Sequence, residues 1–152
     1  MPTTPRDLLP TEEDFGPWLG HLDVQVAWKR FGGLTIDEAT ALFRENPVVF
    51  QESFMYMGGK AFAYYFPVIE NYLKSVPDAD HDWDHESWII AHDIRAQFER
   101  DSLTHVQDLT PRVIELALFF QKNLRRFGAT EKEREKVAKA WTDLLDHVNT
   151  FA

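Results

Sequence analysis

From Lys60 to Lys74 the chain is apolar on almost every side of a helix: Phe62, Tyr64, Tyr65, Phe66, Val68, Ile69, Tyr72 and Leu73 leave it no continuous polar face. A helix of that kind cannot lie on a surface and has to be surrounded by other helices. The stretch therefore predicts an all-α, single-domain helical bundle, of about five to seven helices. The chain can supply them, because 152 residues with a hydrophobic fraction of 44% suffice for one core that buries roughly 70% of the unfolded surface. Pro67 sits inside the stretch, where it cannot donate to the carbonyl of Ala63, and predicts a kink or a junction there.

Around this segment the helix signals are regular. Thr35 stands three residues before Glu38, a capping box that opens a helix running to about Asn46, with Ala39, Leu42 and Phe43 as its apolar side. Pro47 suits the first turn of a short helix that Gly58-Gly59 ends. A helix is expected from about Asp84 to Asp101, burying Trp83, Ser87, Ile90, Ala91, Ile94 and Phe98. A loop then leads to Thr110-Pro111, an N-cap and a first-turn proline, and to a helix from Val113 to Phe127 with Gly128 after its end. Thr130 and Glu133 open the last helix, with Val137, Trp141, Leu144, Leu145 and Val148 as its buried stripe and Glu131 to Lys139 as its solvated side. Between Phe15 and Phe31 the pattern is two-sided, since Val24, Val26 and Trp28 alternate like a strand while Leu19, Leu22 and Val26 suit a helix. Helix is preferred, because a lone strand has nothing to pair with. Residues 1–17, with four prolines, read as an irregular N-terminal lead, and residues 18–152 as the helical domain.

The chain has no cysteine, which excludes disulfides, thiolate metal sites and cysteine nucleophiles, and suits a reducing compartment such as the cytoplasm of a bacterium. No basic and then apolar leader opens it, and its longest hydrophobic run, Val113 to Phe120, is interrupted by Glu115, so no membrane span is expected. A net charge of −9 argues against nucleic acid and anionic membrane surfaces as partners. That charge is concentrated: Asp78 to Asp108 holds nine acids against Arg95 and Arg100, a net of −7.

Within that region lies the most unusual stretch of the chain, Asp78-Ala-Asp-His-Asp-Trp-Asp-His-Glu86. Asp78, Asp80, Asp82, Asp84 and Glu86 alternate with other residues, His81 and His85 fill two of the gaps, and His92, Asp93 and His105 follow. One or two of these acids can cap the following helix and suit its dipole, but five in nine positions exceed what capping needs. A calcium loop does not fit. Counted from Asp78, the glycine position holds Trp83 and the closing glutamate position Ile89; counted from Asp80, they hold His85 and Ala91. On the helix, His85, Trp88, His92, Arg95 and Glu99 fall opposite the apolar stripe, so Trp88 is expected among charges, as an interface anchor would be. The pattern points to a docking surface for a protein with a basic surface, made of Asp78, Asp80, Asp82, Asp84, Glu86 and Trp88.

Two resemblances accompany this pattern. Ile89-Ile90-Ala91-His92-Asp93-Ile94 is similar to the core motif of the HD-domain metal-dependent phosphohydrolases, which are all-helical. That resemblance implies a divalent metal held by His92 and Asp93, by His81 or His85 upstream, and by Asp143 or Asp146 downstream. Phe31-Gly-Gly-Leu-Thr-Ile-Asp-Glu-Ala, Leu42-Phe43-x-x-Asn46, Ala61-Phe-x-Tyr-Tyr-x-Pro67 and Asn71-Tyr-Leu73 resemble a small uncharacterised bacterial helical domain, and imply a helical fold without implying an activity. No serine-hydrolase elbow, phosphate loop, dinucleotide-binding glycine motif or zinc-protease helix is present in the sequence. The expectation is a non-enzymatic, protein-binding factor of accessory, regulatory or immunity type without a cofactor, the alternative being a metal-dependent phosphohydrolase.

Overall fold

The computed structural model describes residues 8–16, 22–75, 87–99, 103–127 and 130–151, and these are helical with no strand among them. In chain order the helices are α1 (Leu22–Phe31), α2 (Ile36–Glu45), α3 (Pro47–Phe50), α4 (Ser53–Tyr56), α5 (Gly59–Ser75), α6 (Ser87–Phe98), α7 (Leu103–Val106), α8 (Thr110–Lys122) and α9 (Glu131–Val148). Three of them, α3, α4 and α7, are single turns, so the described residues contain six longer helices, within the expected range. The ambiguous segment before Phe31 is the helix α1, with Val24, Ala27 and Phe31 facing inward.

α5 is the central element, as its composition requires. Phe62, Tyr65, Phe66, Val68, Ile69 and Leu73 are all buried, and α2, α7 and the lead segment pack around it. It runs unbroken from Gly59 to Ser75 through Pro67, so the proline does not create a junction. The bond lost at Pro67 costs about 3 kcal/mol in an isolated helix interior, and here Phe62, Phe66 and Ile69, fully buried on both sides of the proline, hold one continuous helix. Tyr65 ties α5 to the end of α1: its hydroxyl lies 2.8 Å from the carbonyl of Phe31 and 2.7 Å from that of Leu34, and its one proton is shared between the two acceptors. Burial, with Tyr64 beside it, pushes the Tyr65 hydroxyl well above the ordinary tyrosine range, which keeps the proton on the donor. Gly33 completes this turn at φ +78°, a backbone region in which glycine carries no steric penalty.

The capping signals at Thr35 and Thr130 are realised, whereas Thr110 is not an N-cap: it is the first residue of α8, Leu109 precedes it without a side-chain cap, and the Thr110 hydroxyl donates to the carbonyl of Gln107. Thr35 accepts from the amide of Glu38 while Glu38 accepts from that of Thr35, Asn46 caps α3 ahead of Pro47, and Thr130 accepts from the amide of Glu133. Two boundaries differ from the sequence expectation. α8 stops at Lys122 rather than running to Phe127, because the Asn123 side chain donates to the carbonyl of Phe119 and the chain tightens into a 3-10 turn at Leu124–Arg126. That turn brings Phe127 onto Phe120, which also stacks on Trp141 at 3.9 Å between centroids. The stretch expected to be a loop before Thr110 contains α7 and a 3-10 turn at Gln107–Leu109, held by the burial of Val106 and Leu109.

The described part of the lead is tied to this core. A 3-10 turn at Glu13–Phe15 buries Phe15 completely, edge-on to Trp28 at 5.2 Å. The carbonyl of Phe15 accepts from the amide of Gly58, and Lys60 pairs with Asp14 at 3.4 Å. No side chain fits at Gly58, since a Cβ there would stand 2.4 Å from the carbonyl oxygen of Asp14.

Candidate functional site

The sequence directs attention to α6, and the structure places α6 against α9 in the most extensive helix pair among the described residues. The two run in the same direction: Trp88 meets Lys136, His92 and Arg95 act on Asp143, and Phe98 meets Phe151. The connection between them, through α7 and α8, is long enough to allow this parallel arrangement. The first turn of α9 extends beyond the start of α6, since Glu131 lies five residues ahead of the level at which Lys136 meets Trp88.

Trp88 is half-buried rather than free among charges. Its indole packs against the core, meets the His92 ring edge-on at 5.7 Å, and carries the Lys136 ammonium 3.8 Å from its centroid. A cation over a tryptophan face contributes about 0.5–1 kcal/mol at exposed sites. Further along, Arg95 pairs with Glu99 at 3.0 Å and Lys139 with Asp143 at 2.9 Å, both one turn apart on their own helices. The Lys139 hydrogen bond holds the Asp143 carboxyl below the usual carboxylate range against a desolvation effect in the other direction, with Lys139, Arg95 and His92 adding charge. The outer seam of this pair is thus a half-buried tryptophan with a lysine over it, followed by charges already matched.

The other residues named from the sequence are placed unevenly. Asp78, Asp80, His81, Asp82, Asp84, His85 and Glu86 lie outside the described residues. His92 is exposed, whereas Asp93, the next residue and about 100° further round the helix, is 1% exposed and belongs to the core side. Asp143 is brought to the side of α6 that carries His92, while Asp146 is exposed. His105 is exposed at the end of α7. Among the described residues no group of three or more His, Asp or Glu side chains is placed to hold a metal ion.

Two residues not singled out from the sequence matter here. Gln97 is fully buried, and its side-chain amide donates to the carbonyls of Phe54 at 2.9 Å and Met57 at 2.7 Å, fastening α6 to the end of α4. A polar residue between Ile94 and Phe98 on a buried stripe was a visible signal for such a role. Lys136 gave none, being one of several charges on the exposed side of α9.

No family model matches the chain, and neither a curated protein nor a solved structure matches it. None of the described helices is long and apolar enough to cross a membrane.

Proposed function

We propose that the chain is a non-enzymatic protein-binding factor, of accessory, regulatory or immunity type, that meets a basic partner surface through Asp78, Asp80, Asp82, Asp84 and Glu86 with Trp88 as the adjoining anchor. The reading rests chiefly on the placement of Trp88. The indole stands in the first turn of α6, two residues after the acidic segment, and is fixed on three sides by the core, His92 and Lys136. A large aromatic side chain held in one orientation beside dense charge binds with little loss of side-chain freedom, which is what interface anchors require. The bacterial cytoplasm, suggested by the absence of cysteine, is the proposed setting.

The test is a pull-down with the purified wild-type protein against a Trp88→Ala, Asp82→Asn, Asp84→Asn variant. A partner retained by wild type at low salt, released as salt rises and missed by the variant supports the proposal, because exposed charge contacts are screened. Identical partner lists refute it.

A second reading keeps a divalent metal on His92 and Asp93 with His81 or His85, as in HD-type phosphohydrolases. The approach of Asp143 to His92 favours it, since Asp143 is one of the two aspartates that the resemblance names. The burial of Asp93 away from His92 weighs against it. Metal analysis of the purified protein and of a His92→Ala variant decides: stoichiometric metal lost in the variant supports it, and no bound metal removes it.

A further inference from the structure

Lys136 is exposed on α9, yet its ammonium lies over the Trp88 ring, 3.8 Å from the centroid. Among the described residues no carboxylate pairs with it, whereas Lys60, Lys74, Arg95, Arg112 and Lys139 each have one. Its neighbours one turn away on the helix include Lys132 and Lys139, whose charges repel it. An ammonium is strongly hydrated and its four-carbon stem is free to turn outward. The ring face is therefore what holds Lys136 where it is.

That face suits a cation from outside. The indole packs on the core and meets the edge of the His92 ring at 5.7 Å, so its orientation is fixed before any partner arrives. The face under Lys136, an exposed residue, is the one nearest solvent. Tryptophan attracts cations more strongly than tyrosine or phenylalanine does. A guanidinium fits better than an ammonium, because it is planar and more weakly hydrated and so stacks at a smaller loss of bound water.

The surrounding charges do not oppose a second cation. Residues 131–136 carry three acids and three bases. Further along the seam Arg95 is matched by Glu99 and Lys139 by Asp143.

We propose that the solvent-facing side of the Trp88 indole is the seat of an arginine side chain of the partner, and that Lys136 occupies it in the free protein as an internal stand-in which the partner displaces. The inference rests on the reading of a basic partner, and adds to it the side chain that the anchor receives and a contact that must first be broken. Competition from Lys136 lowers the affinity about two- to fivefold, the equivalent of one cation on an exposed tryptophan face.

Isothermal titration of the full chain with oligo-arginine and oligo-lysine peptides of equal length, at low salt, tests it. Tighter binding of the arginine peptide is expected, and equal affinity for the two overturns the assignment. Lys136→Ala removes the stand-in and one positive charge, whereas Lys132→Ala removes one charge a turn away and leaves the ring covered. Lys136→Ala is expected to bind the arginine peptide about two- to fivefold more tightly than Lys132→Ala does. That excess is expected to vanish when each is combined with Trp88→Leu. Equal affinities of the two lysine variants, or an excess that survives Trp88→Leu, overturn the proposal. Binding that is weakened by Asp82→Asn with Asp84→Asn but shows no coupling between Lys136 and Trp88 removes this inference and leaves the acidic docking reading standing. If neither peptide binds wild type or Lys136→Ala, both fall. Circular dichroism establishes that each variant is folded. Should Trp88→Leu not fold, Lys136→Arg, which keeps the charge and holds the ring more firmly, is expected to weaken binding of the arginine peptide, and unchanged or tighter binding overturns the proposal.

Discussion

Gln97→Met removes one amide group from the centre of the fold and leaves a side chain of similar length. In the native protein the two N–H groups of that amide serve the carbonyls of Phe54 and Met57, while Met55, at 3.5 Å, is at the limit of a useful bond. Phe54 and Met57 lie at the end of the one-turn helix α4, whose last carbonyls have no amide four residues on to accept from. A buried acceptor left without its donor costs about 1–3 kcal/mol. Two such acceptors give an expected loss of about 2–6 kcal/mol, a large part of the roughly 5–15 kcal/mol that holds a domain of this kind together. Packing is nearly conserved in methionine, so the loss reports the hydrogen bonds rather than a cavity. Gln97→Glu should be at least as damaging, because a carboxylate has no donor for either carbonyl and would be an added buried charge. Urea unfolding followed by circular dichroism measures this, with a lower midpoint and an unchanged slope as the expected outcome. A loss below ~0.5 kcal/mol, within the range of an ordinary surface substitution, would refute the assignment of Gln97 as the clamp between α6 and α4.

Gly58→Ala forces a methyl group toward the carbonyl oxygen of Asp14 at 2.4 Å, and the expected destabilisation is about 1–3 kcal/mol, read by the same unfolding curves; a neutral variant would mean that residues 8–16 do not pack on α5 as described. Thr35→Ala removes the hydroxyl half of the capping box and should cost ~1 kcal/mol, with Thr35→Ser nearly neutral as the control. Asp14 predicts an acid-side effect. Burial pushes its pKa up, but the Thr11 amide and Lys60 outweigh this and hold the carboxyl below its ordinary value. Its contribution is therefore fully present above the unfolded pKa, about 3.9, and is lost as pH falls through the lower folded value. Asp14→Asn should flatten the fall in stability in that acid range, and an unchanged pH profile would remove Asp14 from the account.

The sequence made the helical class legible through physical patterns that act locally: an all-round apolar helix, Thr35 with Glu38, Pro47 in a first turn, and Thr130 with Glu133 each correspond to structure. Boundaries failed where tertiary contacts outweighed local preference. Pro67 is accommodated because both of its flanks are buried, and α8 ends early because Asn123 satisfies a carbonyl that another turn would have used. The site was legible in part. Helical spacing separated Trp88 and His92 from the buried stripe of α6, but did not tell that α9 would lie alongside and set Lys136 over the indole. Spacing along one helix carries no information about which other helix packs against it.

The parallel pairing of α6 and α9 also sets an order of events when the chain is made. Trp88 and Lys136 are 48 residues apart, with α7 and α8 between them, so their contact is non-local and closes only after that intervening chain has formed its own turns. During synthesis the segment before α6 leaves the ribosome long before α9 exists to cover the indole. In that interval Trp88 is an uncovered aromatic side chain beside dense negative charge, and that neighbouring charge opposes self-aggregation of the nascent chain until its last helix arrives.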